Sequence, residues 1–419
     1  MKQILIILTL ASFLPGCLSC VEIKLDEREI PVQEQDVPYK TYQAMGNLCR
    51  TADGGLATVL LRQASNKSPG SSAFPSPYLE RYEVVVVRTS MQGQVLWTKL
   101  AYTLANRITN RPLIHPLRDG GYLVFVATDL INLGGAQPSM KPAQIVIRLN
   151  SEGEIVDRQV NEAAGLAVGS GLFQPYQLLS MADDGFVVTG RLSTTSGSGT
   201  AVILIRFNER GLLQWSRTYP TELFLNNPVG VAATPEGGFV LSWFGRNNQE
   251  NIDQSFLLKT DASGNQVWSR RYALFAARII SPAADGGYVL LGVLNPSLRS
   301  AYLYKMSESG DIQWVRAHPL PEGQSWITPY QLISTSTAYL LVYTAIPTGL
   351  HLLTTDLAGA EQSRRTVNVP TLTGSQVEVV RLPDNSFALA GQVLYNSVVL
   401  LRANPDGSTQ WTTTLASDR

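Results

Sequence analysis

The chain carries little material for covalent or metal chemistry: three histidines and three cysteines in 419 residues. His115, His318 and His351 stand far apart and share no metal-ligand spacing. Cys49 follows Leu48 in an apolar stretch and reads as a small buried residue. No Gly-x-Ser-x-Gly elbow, phosphate loop, His-Glu-x-x-His pair or EF-hand loop occurs. Carboxylates recur as Asp119, Asp183 and Asp285, but beside glycines, where turn chemistry accounts for them. These residues predict no metal and no cofactor. A carboxylate pair for general acid–base work would need members from separate segments, without a local motif. The elements that position the side chains therefore decide what chemistry is open to them.

Composition narrows the classes further. Lys+Arg and Asp+Glu both number 33, hydrophobic residues make up 44% and charged residues 16%. No basic surplus exists to form an electrostatic footprint for nucleic acid, so that partner is not expected. The low charge and ordinary apolar content argue against disorder.

The N-terminus reads as an address. Met1-Lys2 precede an apolar run from Ile4 to Leu14. It is shorter than the roughly 20 residues that span a bilayer. It has the flanks of a secretory signal. Leu14-Pro15-Gly16-Cys17 resembles the bacterial lipobox, whose Cys is lipidated and becomes the new N-terminus. Cys20 is an alternative acceptor. The expected organisation is a signal peptide over 1–16, a lipidated N-terminus and acidic tether over 17–40, and a folded body over 41–419. Losing the signal removes Lys2 and no acid, leaving 32 cations against 33 anions. Acyl chains would hold the membrane at about 0.8 kcal/mol per buried CH₂. The resemblance implies a bacterial cell-envelope location, lipid-anchored and extracytoplasmic, at the outer membrane if the cell is Gram-negative.

The body is repetitive, a property sought before local structure is assigned. One signal is a turn before an apolar strand: Asp53-Gly54-Gly55-Leu56, Asp119-Gly120-Gly121-Tyr122, Asp183-Asp184-Gly185-Phe186, Glu236-Gly237-Gly238-Phe239 and Asp285-Gly286-Gly287-Tyr288. Two degenerate copies follow, Ser336-Thr337-Ala338-Tyr339 and Asp384-Asn385-Ser386-Phe387. The final residues are spaced by 66, 64, 53, 49, 51 and 48. A second signal is a later glycine, at Gly93, Gly153, Gly211, Gly264, Gly310, Gly359 and Gly407. Three residues before each stands Asp, Asn or Ser, the preference of a type I turn. Four residues after five of them stands a tryptophan: Trp97, Trp215, Trp268, Trp314 and Trp411. Five residues before six of them stands a cation: Arg88, Arg148, Arg206, Lys259, Lys305 and Arg402.

Each unit reads as four short strands without useful helical period. In the third copy they are Tyr176–Ser180, Phe186–Gly190, Ala201–Phe207 and Leu213–Arg217. Four antiparallel strands at about 50 residues is the signature of a β-propeller blade. The predicted fold is all-β, a single seven-bladed β-propeller and a monomer. Each blade buries its faces against two neighbours, so one ring can exceed the size limit of a single core. The tryptophans read as interblade packing, and the repeated cation as a solvated or blade-bridging side chain.

The Gly-x-x-x-Trp ending and Asp-Gly-Gly-Tyr turn resemble the quinoprotein-like (PQQ-like) superfamily of propellers over about residues 44–416. They also resemble repeat lipoproteins of Bacteroidetes-type bacteria. The resemblance implies fold. The turn residue sits three rather than four before the Gly, and the Thr before the Gly is missing, so it implies no quinone cofactor.

Strand alternation assigns the loops to two faces. Links between first and second, and third and fourth, strands are tight and lie on one face. Links between second and third strands, and between blades, lie on the other. There, blades 1 to 4 carry long insertions: Gln63 to Arg81, Asp129 to Ala143, Leu192 to Thr200 and Arg246 to Asn251. Insertions gathered on one face of a repeat protein often mark its binding side. Candidate contacts are Phe74, Tyr78, Phe173, Arg246, Asn247 and Trp326. The expected function is binding of a protein or glycan by an anchored module. The alternative is a carbohydrate-active propeller, hydrolase or lyase, with its site near the central channel.

Overall fold

The computed structural model describes residues 39–65, 80–104, 111–132, 140–162, 173–193, 200–221, 229–247, 252–273, 276–293, 300–346, 349–367, 377–393, 397–405 and 407–416. Among them are 28 strands and no helix. Blade 1 comprises β1 (Tyr39–Arg50), β2 (Leu56–Ser65), β3 (Glu80–Thr89) and β4 (Val95–Leu104). Blade 2 comprises β5 (Leu113–Pro116), β6 (Tyr122–Asn132), β7 (Met140–Leu149) and β8 (Ile155–Glu162). Blade 3 is β9 (Phe173–Ser180), β10 (Phe186–Ser193), β11 (Thr200–Phe207) and β12 (Leu213–Thr221). Blade 4 is β13 (Gly230–Ala233), β14 (Phe239–Asn247), β15 (Ile252–Thr260) and β16 (Gln266–Ala273). Blade 5 is β17 (Ala276–Pro282), β18 (Tyr288–Val293), β19 (Ser300–Met306) and β20 (Ile312–Pro319). Blade 6 is β21 (Ser325–Ser334), β22 (Ala338–Ile346), β23 (Gly349–Asp356) and β24 (Glu361–Val367). Blade 7 is β25 (Val377–Arg381), β26 (Phe387–Val393), β27 (Ser397–Ala403) and β28 (Thr409–Ala416).

Every blade pairs its four strands in chain order, antiparallel throughout. The expected propeller is thus the observed one, with β1 starting at Tyr39, slightly before the expected boundary. The first strands touch in sequence around the axis, β1 to β5, β9, β13, β17, β21 and β25, and β25 returns to β1. Fourth strands lie outermost, where β20 and β24 expose most of their residues. Second and third strands are nearly continuous runs of Val, Ile and Leu because both faces are covered by neighbouring blades.

The tryptophans pack between blades, as expected. Each lies on the turn glycine of the next blade: Trp97 on Gly153, Trp215 on Gly264, Trp268 on Gly310 and Trp314 on Gly359. The guanidiniums of Arg217, Arg270 and Arg316 lie 5.7, 5.8 and 5.7 Å from the ring centroids of Trp215, Trp268 and Trp314.

Ring closure uses the same device. Trp411 of blade 7 lies on Gly93 of blade 1, where a Cβ would approach the indole to 2.5 Å. Gly93 also has φ +80°, a region L side chains disfavour. Trp411 Nε1 donates to the Met91 carbonyl at 2.9 Å and Thr413 Oγ1 to the Gly93 carbonyl at 2.5 Å. The closing core mixes Leu48, Leu60 and Val85 of blade 1 with Ala388, Val398 and Leu400 of blade 7. Among the described residues no strand is exchanged across this seam.

Candidate functional site

The repeated cation keeps only part of the expected role: it is not a freely solvated side chain, and Arg402 of blade 7 bridges to blade 1 by donating to the Met91 carbonyl at 3.2 Å. At the end of each third strand the cation reaches the acid of its own blade's first turn. The pairs are Arg88–Asp53, Arg148–Asp119, Arg206–Asp183, Lys259–Glu236, Lys305–Asp285 and Arg402–Asp384. Arg148, Arg206 and Arg402 sit at 2.6, 2.5 and 2.5 Å from their carboxylates. Sheet register explains the pairing within each blade. Third-strand residues pair with the second strand, Arg206 with Val187 and Lys305 with Val289, so the cation sits beside the turn that begins that strand. Asp53, Asp119, Asp183, Glu236 and Asp384 are held below their usual range. Hydrogen bonds from Thr51 to Asp53, from Gly121 N–H to Asp119 and from Ser386 to Asp384 lead this effect, with the clamp cation adding to it. Blade 6 alone lacks both partners, with Ser336 and Thr354 in their places.

The histidines are equally committed. His115, in β5, lies 2.9 Å from Ser180 Oγ and 3.0 Å from the Asp184 carbonyl, tying blade 2 to blade 3. His318, in β20, approaches Glu361 of blade 6 at 3.7 Å. His351, in β23, lies 3.2 Å from Thr366 Oγ1 and stacks on Tyr343 at 5.2 Å. Burial pushes all three below their ordinary 6.5. A base whose folded pKa is depressed contributes stability that is complete above its unfolded value and is lost as pH falls past it. The urea midpoint is therefore expected to drop between pH 7 and pH 5, before most carboxylates protonate. His115→Gln should flatten that slope, and an unchanged slope would contradict the assignment. Cys49 is free and buried, and burial raises its thiol to about 12, so it is inert at neutral pH.

The loop face receives the predicted contacts unevenly. Cys17, Phe74 and Tyr78 lie outside the described residues. Arg246 and Asn247 end β14, opposite Asp253 and Ile252. Trp326 lies near the start of β21, at an irregularity beside Ser325 and Ile327. These backbone positions all fall at loop-face ends of strands. Phe173 opens β9 and is corrected to a core residue: it is 5% exposed and meets Phe125 edge-on at 6.3 Å. Its ring turns toward blade 2, where apolar surface is available to cover it.

The same face carries two ion pairs that sequence reasoning missed. Arg111, just before β5, pairs with Glu378 near the start of β25, joining blades 2 and 7 past the end of β1. Glu83, 1% exposed, accepts from Arg62 Nε at 2.7 Å within blade 1. Arg62 and Glu83 are cross-strand partners whose alternation pattern was a usable signal. Arg111 and Glu378 stand 267 residues apart and had none.

On the opposite face a cavity of about 590 Å³ opens between blades 6, 7 and 1. It is lined by Arg50, Thr335, Ser336, Thr337, Arg381 and Asn385, with Leu382 and Pro383. Among the described residues, no group of three metal-ligating side chains forms.

No family model and no curated protein matches the chain. Solved structures with similar folds include the propeller domain of the Trilobed protease from Pyrococcus furiosus. It is 8% identical, with 91% of this chain and 96% of that one covered at a TM-score of 0.46. The Synechocystis apocarotenoid oxygenase is 11% identical, covering 90% and 93% at 0.46. The α-L-arabinofuranosidase from Fusarium graminearum is 10% identical, covering 78% and 95% at 0.41. These likenesses extend to the fold alone, and the seven-bladed β-propeller rests on this chain's own sheet topology.

Proposed function

We propose that this propeller is a lipid-anchored, extracytoplasmic module of the bacterial envelope that binds a protein or glycan through its loop face, as a monomer. The observation that supports this reading is the uneven height of that face. Among the described residues, the second strands run from the turn face for 10 and 11 residues in β2 and β6, for 8 to 9 in β10, β14 and β22, and for 6 and 7 in β18 and β26. At about 3.3 Å per residue, the described second strands of blades 1 and 2 rise roughly 10–15 Å above those of blades 5 and 7. The result is a higher rim at blades 1 and 2, flanked by the polar pairs at Arg62 and Arg111. The recurring acids, cations and histidines are occupied by structural contacts, which favours binding over catalysis.

Wild-type protein is expected to partition with membranes and to incorporate an alkyne-tagged fatty acid in a bacterial host. Cys17→Ser should abolish both, and a Cys17→Ser protein that is still labelled would overturn the anchor. Pull-down from detergent-solubilised envelope should recover a partner that Arg246→Ala, combined with Phe74→Ala and Tyr78→Ala, no longer retains. A second reading, a carbohydrate-active hydrolase or lyase, draws on Glu378 beside the axis on the same face. Sugar release that depends on Glu378, and vanishes in Glu378→Gln, would favour it.

A further inference from the structure

The turn face repeats one arrangement six times and breaks it once. In six blades an acid stands at the first turn with a cation against it. In blade 6 the acid is Ser336 and the cation is Thr354. The turn is also one residue shorter. Thr335 N–H bonds to the Ala338 carbonyl, where blade 1 spans Thr51 to Gly55 and blade 7 spans Leu382 to Ser386. The described cavity of about 590 Å³ opens at this break.

Its lining is cationic and hydroxylated. Arg50 ends β1, is exposed, and has no ion-pair partner among the described residues. Arg381 ends β25 and donates to Asn385 Oδ1, which ties its guanidinium to the blade 7 turn. Ser336 and Thr337 present the missing acid's place as hydroxyls, while Thr335 Oγ1 is held by the turn, donating to the Ala338 carbonyl at 2.9 Å. Among the described residues no carboxylate lines the cavity, and Asp384, between Pro383 and Asn385, is paired with Arg402 at 2.5 Å. Two guanidiniums and no acid form a receptor for an oxyanion, which arginine binds bidentately. Two hydroxyl side chains and an amide beside them suit a ligand that is itself hydroxylated. The volume lies within the roughly 300–1,000 Å³ of small-molecule sites.

We propose that this mouth between blades 6, 7 and 1 binds a hydroxylated carboxylate of the sugar-acid class, held between Arg50 and Arg381. The site lies on the face opposite the loops, so it is independent of the loop-face reading. The loss of the blade 6 acid is what frees it: a carboxylate there would occupy the ligand's position.

Titration calorimetry of the mature chain at low salt tests this with D-glucuronate, D-glucose and acetate. D-glucuronate is expected to bind at least tenfold more tightly than either of the others. Arg50→Gln and Arg381→Gln should each weaken it at least tenfold. Ser336→Asp, which restores the acid of the other blades, should abolish binding while leaving the melting temperature within a few degrees. No binding of D-glucuronate by folded protein would overturn the proposal. Equal binding of acetate would reduce the site to a bare anion patch and overturn the sugar-acid assignment. Undiminished binding by folded Ser336→Asp protein would overturn its location. None of these results bears on the loop face.

Discussion

Trp411→Ala is expected to cost about 3 kcal/mol, the lower end for removing a large aromatic from a packed site. The indole covers Gly93 and its Nε1 donates to the Met91 carbonyl, so the substitution loses packed area and one hydrogen bond, while Arg402 still donates to that carbonyl at 3.2 Å. The larger consequence is local. Among the described residues, blades 1 and 7 are held together by packing and side-chain hydrogen bonds, with no exchanged strand. Every other pair of neighbouring blades is also joined by the chain itself. Hydrogen exchange should therefore accelerate in blades 1 and 7 of Trp411→Ala protein well before it does elsewhere. Trp268→Ala, at an internal seam, should lose comparable stability without that localised opening. Identical exchange maps for the two variants would contradict a packed, unlatched closure.

The second large effect concerns the clamp of blade 5. Lys305 is 2% exposed, 2.9 Å from Asp285, and also donates to the Gly286 carbonyl. Asp285 is 46% exposed. The two partners are therefore unequal. Asp285→Ala leaves a buried ammonium with only carbonyl compensation and should cost about 3 kcal/mol, near the lower bound for breaking a buried pair. Lys305→Met leaves a carboxylate that water can solvate and should cost no more than about 1 kcal/mol. The double variant should resemble Lys305→Met. Urea denaturation of all three proteins reads this order. A Lys305→Met protein less stable than Asp285→Ala would show that the clamp is not governed by the buried charge.

The fold was legible because its signals are local and repeated. Asp-Gly-Gly turns and Gly-x-x-x-Trp endings mark both hairpins of a blade, and Asp184 and Asn385 hold the glycine's place at φ 61° and 65°. Strand ends were less legible. Asp129 to Asn132 and Met140 to Ala143, read as insertion, continue β6 and β7. The candidate contacts were chosen for chemical type at a loop boundary. Type does not say which way a side chain turns, and Phe173 turned inward.

The amino-acid sequence alone therefore determined the blade, the number of blades and the division into a tight face and a long-looped one. Turn preference and strand alternation act within a few residues, so they can be read without coordinates. Tertiary structure decided the rest: the acid each cation meets, the Arg111–Glu378 pair, the Trp411 seam and the mouth beside Ser336. Those contacts join residues about 20 to 320 positions apart. Their partners are selected by sheet register and ring closure, which bring distant residues together without leaving any mark on the residues between them.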